Sequence, residues 1–448
     1  MRIEDICRKI VELGERKGAD QVEGFVVDGK MLNAYWEAGG GGTITSNQWI
    51  GIGVKIAIGK RIGYVSGIYR GDESLENIVS TGIKIARVSP PDKNFESLPE
   101  PRSIGGVVED IFDEDLANIE PQSLWDHVKE IVEESERREV RVMRGLLRAN
   151  IFEFHVMNSL GVDFHHKGTN VFAHFLAKKG MGEGVVKRYS TSLKGIDWRE
   201  AGKELYEKTT VASEAKPFKG NVKLEVIIEP MELAEMLLAI LAAVNGENIN
   251  KRRSPWIGKI GQKVASEKLT IIDDGRMRGG IRSALADDEG VPTTRKPIIE
   301  KGVLRTYLYD YYNAKIAGAE PMGNGFRRGA RTIENMHRWS AGAAPSNVEI
   351  VAGNKSVDEM IHETEKGLFI RKFAAPYVDF MTGNFGLEIR NAILIENGDK
   401  KLSIKHALLI GNIYEMINNI IEIGRERKLI EIMLLPAMKF GGLQVVGT

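Results

Sequence analysis

At the start of the chain the apolar positions recur with the period of an α-helix, and directly after it they recur with the period of a β-strand. Helical patterns cover residues 3–17 and 74–87, because their apolar positions fall on one helix face. Between them the pattern predicts strands at 21–27, 31–36, 49–58 and 61–66, and Asp28-Gly29 is a hairpin signal. The first hundred residues therefore predict a helix, a β-meander and a second helix.

The same order recurs over the next hundred residues. Helical patterns lie at 121–137 and 197–209, with strand patterns at 140–147, 151–157 and 171–178. A polar, proline-bearing link at 91–101 separates the two copies. We therefore predict an N-terminal α/β domain over residues 1–216 that arose by duplication, with copies at 1–100 and 101–216.

The pattern changes in residues 217–448, where short strands dominate. The hairpin turns 300–302 and 396–398 punctuate these strands, and the clearest helices are predicted at 231–244, 357–365 and 413–423. The fold class that follows is α+β, with a duplicated helix–β-meander–helix domain followed by a largely β C-terminal domain.

Composition narrows the function classes. Lys plus Arg and Asp plus Glu both number 62, whereas a nucleic-acid partner would favour a basic excess. The only cysteine, Cys7, lies on the apolar side of a helical pattern, which indicates a buried thiol and a reducing compartment. The N-terminus shows no signal-peptide core, and no apolar run approaches the ~20 residues of a membrane span. We expect a cytoplasmic protein without membrane association.

One stretch, residues 222–248, carries the most specific pattern. A strand is followed by Pro230, an aliphatic helix and Gly246-Glu247. Together with ordered motifs at 51–54, 287–293 and 382–386, this stretch resembles the TldD/PmbA (TldE) family, often labelled modulator of DNA gyrase. The resemblance extends over most of the chain in the family's order.

The resemblance implies a zinc site in the TldD branch only. There the helix carries His-Glu-x-x-x-His, and a cysteine near the C-terminus adds a third ligand. Here the hexad positions hold Leu238, Ala239 and Ala243, and residues 422–448 contain no cysteine. These side chains can neither bind a metal nor move a proton. The resemblance thus implies the PmbA/TldE branch, with no catalytic residue, metal or cofactor in this chain and zinc in a partner subunit.

Four residues are candidates to face a substrate or partner. Asn324, Arg327 and Arg328 lie in a Gly/Asn/Arg loop, where glycines allow close approach and arginines can bind a carboxylate or backbone carbonyls. Asn384 lies in the turn-like segment 382–386. The alternative for the loop is a flexible surface segment whose arginines pair with nearby carboxylates.

Other acidic and histidine groups favour structural roles. Asp273-Asp274 and the segment 287–290 indicate turn chemistry more strongly than a cation site or an aspartic dyad. His155, expected to point to water, lies near three further histidines, but we do not favour a metal site there. His362-Glu363 lacks the second histidine of a zincin and indicates a solvated helix face.

Three functions remain open. The first is a non-catalytic subunit of a TldD/TldE-type metalloprotease that degrades unfolded or small peptides, paired as a heterodimer with a TldD-type zinc subunit. The second is a stand-alone homodimeric peptidase with a different metal site. The third is a binding or scaffold protein without hydrolytic activity.

Overall fold

The strand patterns of the first half form one six-stranded antiparallel sheet. A computed structural model describes residues 2–137, 139–327 and 333–447. The strands are β1 (Gln21–Glu37), β2 (Gly41–Ile58), β3 (Arg61–Ile68), β4 (Arg141–Asn158), β5 (Asp163–Lys179) and β6 (Gly182–Ser190). Their order across the sheet is β3-β2-β1-β4-β5-β6, so two sets of three consecutive strands join through β1 and β4. The duplication itself stays a prediction.

Helices cover one face of this sheet. They are α1 (Ile3–Arg16), α2 (Asp72–Val88), α3 (Glu114–Ala117), α4 (Ser123–Ser135) and α5 (Trp198–Ser213). The four helices predicted from periodicity are thus confirmed within a few residues. The first pair encloses an apolar core with β1 and β2, and α4 and α5 enclose another with the central strands. The second half packs against the opposite face, where Phe25 and Phe154 meet Ala284 and Ala286.

The predicted hairpin at Asp28-Gly29 is wrong, because both residues lie inside the 17-residue strand β1. Gly29 pairs with Trp49 on one side and Phe152 on the other. A Cβ on Gly29 would lie 2.5 Å from the Trp49 ring, so this glycine admits an indole and makes no turn. Likewise, the separate strands predicted at 140–147 and 151–157 are one continuous strand, β4.

The second half confirms the largely β prediction and the α+β fold class. Its strands are β7 (Lys216–Pro217), β8 (Asn221–Ile228), β9 (Ile271–Asp274), β10 (Arg295–Glu300), β11 (Val303–Leu304), β12 (Gly325–Arg327), β13 (Ala341–Ala343), β14 (Val348–Ile350), β15 (Lys366–Phe373), β16 (Asn384–Glu396), β17 (Asp399–Lys405), β18 (Ala407–Asn412), β19 (Ile420–Ile430) and β20 (Met433–Gly447). Twelve of them form one sheet, and β12 pairs with β13 alone. The domain boundary at 216/217 stays a prediction.

Short helices connect these strands: α6 (Pro230–Ala243), α7 (Gly246–Asn250), α8 (Tyr311–Ala317), α9 (Val357–His362) and α10 (Ile413–Met416), with a 3-10 helix at Ile333–Arg338. Both predicted hairpin turns are confirmed by left-handed residues, with φ of 51° at Asn397 and 78° at Gly398 in the second turn. The helix predicted at 413–423 is too long, because residues from Ile420 onward pair with β20 and bury apolar side chains in that sheet. Among the described residues, no helix is long and apolar enough to cross a bilayer.

Candidate functional site

The helix α6 occupies the place of the expected zinc helix. Pro230 opens it at a position where a missing N–H costs nothing. Leu238 is 49% exposed, whereas Ala239 and Ala243 are 3% and 0% exposed. Positions five apart differ by about 140° in a regular α-helix. The outer positions of the hexad therefore point in different directions here, one to solvent and one into the core.

The interior face of α6 packs into the largest apolar core of the protein. Leu237, Ile240 and Val244 contribute side chains to it. At the C-terminal end the Ser254 hydroxyl donates to the Ala243 carbonyl at 2.5 Å, and the Asn248 amide donates to the Ala242 carbonyl at 2.9 Å. These bonds satisfy carbonyls that a helix end otherwise leaves open. Over the part of the chain that the structure describes, no three His, Cys, Asp or Glu side chains group as a metal site.

A buried ion network lies at the N-terminal end of α6. The Lys208 ammonium is 2.6 Å from Glu229 and 3.0 Å from Glu204, and Arg371 reaches Glu229 at 2.8 Å. Burial alone would raise the pKa of the Glu229 carboxyl, but Lys208 and Arg371 outweigh burial and hold it below its usual value. The network anchors α5 and β15 to the start of α6.

Glu232, in the first turn of α6, is a buried carboxyl that forms no ion pair with any residue in the described part of the chain. It accepts the Phe373 N–H at 2.7 Å. Burial raises the pKa of Glu232 to about 7, although that N–H and the more distant Lys208 act in the opposite direction. This group is protonated in part at neutral pH, but the structure directs it at backbone and not at an open site.

We expected Asn324 and Arg327 to face a substrate or partner, but both side chains are buried in this structure. The Arg327 guanidinium donates to Glu23 at 3.0 Å, to the Tyr64 hydroxyl at 3.0 Å and to the Trp339 carbonyl at 2.8 Å. It also stacks 3.7 Å from the centre of a phenylalanine ring on β1. The Gly/Asn/Arg loop therefore ties the second half to the first sheet.

Sequence reasoning missed Glu23, the partner of this arginine. Glu23 is 1% exposed on β1 and stands alone as a charge in an apolar run. A single charged residue in a buried strand is unusual unless it is paired, and that signal could have found it. The other loop candidate, Arg328, lies outside the described residues.

The acidic segment 287–289 builds turns, as the sequence favoured. Asp287 accepts the N–H groups of Glu289, Val291 and Gly325 at 2.7–3.0 Å. Asp288 accepts the Arg327 N–H at 2.7 Å. Burial raises the pKa of both aspartates, and the Glu289 carboxylate raises that of Asp287 further. These carboxyls position the Gly/Asn/Arg loop from beneath.

The histidine prediction needs one correction. His155 is 5% exposed, with its Nε2 2.7 Å from Asp163, so it does not point to water. It faces the helix side of the sheet, where its carbonyl accepts from the buried Cys7 thiol. His165 pairs across the sheet with Glu153, while His166 takes the other face, and burial lowers the pKa of His166 to about 4.

Asn384 is exposed at the start of β16, and its Oδ1 accepts from the Asn412 amide at 2.9 Å. It stays a candidate to face a partner. The described part of the chain also contains a pair of cavities. The larger, about 530 Å³, lies beside α5 over β15, β16 and β17, and the smaller, about 240 Å³, lies between the two halves beside Glu289. In the larger cavity the Arg371, Lys400 and Lys428 cations are each paired with a carboxylate.

Comparison with known proteins identifies the family. Residues 221–447 match the family model described as PmbA/TldA metallopeptidase C-terminal domain. A metalloprotease TldD homolog of Buchnera aphidicola is 32% identical over 224 residues, which are 47% of this chain and 45% of that protein. The match thus spans about half the length of that relative. A metalloprotease PmbA homolog of Buchnera aphidicola is 26% identical, over 79% of this chain and 77% of that protein.

The whole fold has a close counterpart among solved structures. The crystal structure of TldE from Thermococcus kodakarensis superposes with a TM-score of 0.90 at 26% identity, covering 99% of this chain and 100% of that one. Since the family model matches half of the sequence and the full-length fold agrees, this chain belongs to the PmbA/TldD family.

Proposed function

We propose that this chain is the zinc-less, non-catalytic subunit of a two-chain cytoplasmic metallopeptidase that degrades unfolded or small peptides. The partner is a TldD-type subunit that carries the zinc and its His-Glu-x-x-x-His helix. The observation that carries the proposal is α6, where aliphatic side chains occupy the metal-binding positions. The names of the relatives, which include both TldD and PmbA homologs, and the fold match to a TldE support it.

Hydrolysis of an amide at neutral pH needs an activated water, which a peptidase of this kind obtains from its metal. Leu238, Ala239 and Ala243 offer no ligand and no general base. Two of these three positions lie in the apolar core, where a charged replacement would lose its hydration. The chemistry must therefore come from the partner, and this chain supplies structure and binding surface.

A subunit contact should leave apolar side chains exposed on the isolated chain. Leu238 on α6 is 49% exposed, and Tyr377 and Met381, in the segment between β15 and β16, are 75% and 54% exposed. Asn384 follows this segment directly. These residues are our candidates for contact with the zinc subunit.

The test is co-expression with a TldD-type chain that carries the zinc motif. We expect the two chains to copurify and to hydrolyse an unfolded peptide, with activity lost in chelator and restored by zinc. The matched control is the same pair with alanine in place of the partner's motif histidines, which should copurify without activity. The proposal is contradicted if the two chains fail to associate, or if they copurify but this chain has no role in hydrolysis of the peptide.

The homodimeric alternative makes the opposite prediction for this chain alone. A pure preparation would contain stoichiometric zinc by elemental analysis and would cleave peptides in a chelator-sensitive way. That result would replace the proposal with a metal site built from other residues.

A further inference from the structure

Five side chains form a straight row across the first sheet. Tyr189 on β6 lies opposite Phe172 on β5, which lies opposite Arg148 on β4, then Asn33 on β1 and Thr45 on β2. Directly opposed residues of neighbouring strands project from the same face. This is the face that the second half contacts through Phe25 and Phe154, and helices cover the other one. We call these five residues the cross-strand row.

Arg148 is the unusual member of the row. Its Nε donates to the Asn33 side chain at 2.7 Å, and Asn33 in turn donates to the Thr45 hydroxyl at 3.1 Å. Neither Nη nitrogen has a partner, and the guanidinium forms no ion pair, among the residues that the structure describes. A half-buried arginine without a counter-ion, held in one orientation by a buried amide, is prepared for a planar anion.

The next row along the strands contains polar groups that the fold leaves unsatisfied. Asn150 is 6% exposed and donates to Asn170 at 2.6 Å, but its Oδ1 has no hydrogen-bond partner among the described residues. The indole N–H of Trp49, one further row along, is also buried without a described partner. Unpaired buried polar atoms are costly, so these two on one face of the sheet indicate a region that a polar ligand would stabilise.

The cross-strand row begins beside α6. Tyr189 packs against the apolar core that contains the α6 side chains, and its ring lies 5.1 Å from Phe172. Glu235, on the outward side of α6 one turn before Leu238, lies close enough to contribute to the raised pKa of the Tyr189 hydroxyl, after burial and Glu431. The row therefore leads from the outward face of α6 to the unpaired guanidinium.

We propose that the cross-strand row binds an extended peptide and that Arg148 holds its C-terminal carboxylate. The choice of a peptide as ligand rests on the proposed function. The partly buried rings of Tyr189 and Phe172 offer apolar contact to the peptide side chains, and the partly buried Asn170 amide offers a hydrogen bond to its main chain.

The spacing sets the register of the bound peptide. Strands lie ~4.8 Å apart, so Arg148 is roughly 10 Å from Tyr189, or about three residues of extended chain. A peptide anchored by its C-terminus at Arg148 thus places its third or fourth residue from the end beside the outward face of α6. Arg148 acts here as a positioning residue, not a catalytic one.

The test measures binding of N-terminally labelled hexapeptides of Ala, Ser and Leu to the purified full chain by fluorescence anisotropy. Three forms are compared: a free acid, a C-terminal amide, and an amide with one internal glutamate. We expect the free acid to bind about tenfold tighter than the plain amide, as for a charge-assisted bond. Arg148→Gln should remove that difference, and Arg148→Lys should retain only part of it. Arg144→Gln, an exposed arginine on the same strand, should keep it.

Every other outcome overturns the inference. The inference is wrong if the free acid and the amide bind equally, or if Arg148→Gln keeps the preference for the free acid. It is also wrong if the free acid does not bind at ~1 mM. If the internal glutamate binds as well as the free acid, the site takes side-chain carboxylates and the C-terminal assignment is wrong. In the complex with a zinc subunit, Arg148→Gln should raise KM for free-acid peptides with kcat unchanged. A fully active complex without that effect leaves the proposed function standing and removes this inference.

Discussion

Arg327 offers the sharpest test of how the two halves are joined. Its Nη2 lies 3.0 Å from Glu23, and the two side chains are 0% and 2% exposed. The substitution Arg327→Met keeps most of the volume but leaves the Glu23 carboxylate buried without its cation. Breaking a buried pair from one side costs about 3–5 kcal/mol, because the remaining charge is uncompensated.

This cost converts into a measurable change in melting temperature. With an unfolding entropy of about 2.1 cal/mol/K per residue, 448 residues give roughly 0.9 kcal/mol/K. The expected decrease in Tm is therefore about 3–5 °C. Arg8→Met is the matched control, because its pair with Glu4, at 2.6 Å, is solvent-exposed and should change Tm by less than about 1 °C.

The double variant Glu23→Gln, Arg327→Met separates charge from packing. It removes both charges, so it should recover a large part of the lost Tm. Differential scanning calorimetry at one scan rate, at pH 7.5, measures five proteins: the wild type, the single variants Arg327→Met, Glu23→Gln and Arg8→Met, and the double variant. A decrease below 1 °C for Arg327→Met, or a double variant less stable than the sum of its singles predicts, would refute the reasoning.

Three further changes have defined outcomes. The triple variant Leu238→His, Ala239→Glu, Ala243→His should lower Tm and bind well below one zinc per chain by elemental analysis, because residues 422–448 supply no cysteine as a third ligand and two replacements enter the core; stoichiometric zinc would contradict this. Glu232→Gln should raise Tm by about 3 °C at pH 8.5 and little at pH 4.5. Burial raises the pKa of Glu232 to about 7, so the folded chain binds this proton more tightly than the unfolded chain does. The wild type therefore loses stability as pH rises from 4.5 to about 7, and the glutamine variant does not. An equal change in Tm at both pH values would contradict this explanation. Gly29→Ala should destabilise the first sheet, because a new Cβ meets an indole ring at 2.5 Å, and an unchanged Tm would show that the ring can move aside.

The sequence predicted the helices of the first half well and the long strands poorly, for one physical reason. Helical periodicity is carried by neighbours three and four residues apart, so the apolar face of α1 or α2 is visible locally. Strand continuity depends on partners elsewhere in the chain. Asp28-Gly29 has the local composition of a turn, but pairing with β2 and β4 on both sides keeps it extended.

The same dependence on distant partners explains why the sequence predicts that the Gly/Asn/Arg loop lies at the surface. Nothing near Arg327 in sequence shows that its counter-ion is Glu23, 304 positions away. Glycines and arginines together are common in exposed loops, and only the folded arrangement shows that these glycines allow the loop to approach buried carboxylates. Gly325 illustrates this, since a Cβ there would lie 2.1 Å from the Glu289 carboxylate.

The aliphatic hexad positions on α6 and the proposed binding row on the first sheet require different kinds of information to be recognised. A leucine or alanine side chain cannot ligate zinc in any register, so the absence of ligands at these positions is evident without a structure. A binding site needs side chains to converge, and convergence depends on register. Asn33 and Arg148 are 115 positions apart, and a shift of one residue between β1 and β4 would place one of them on the helix-covered face. The proposed peptide site can therefore be found only when the strands are paired, whereas the aliphatic residues at 238, 239 and 243 can be read from the sequence alone.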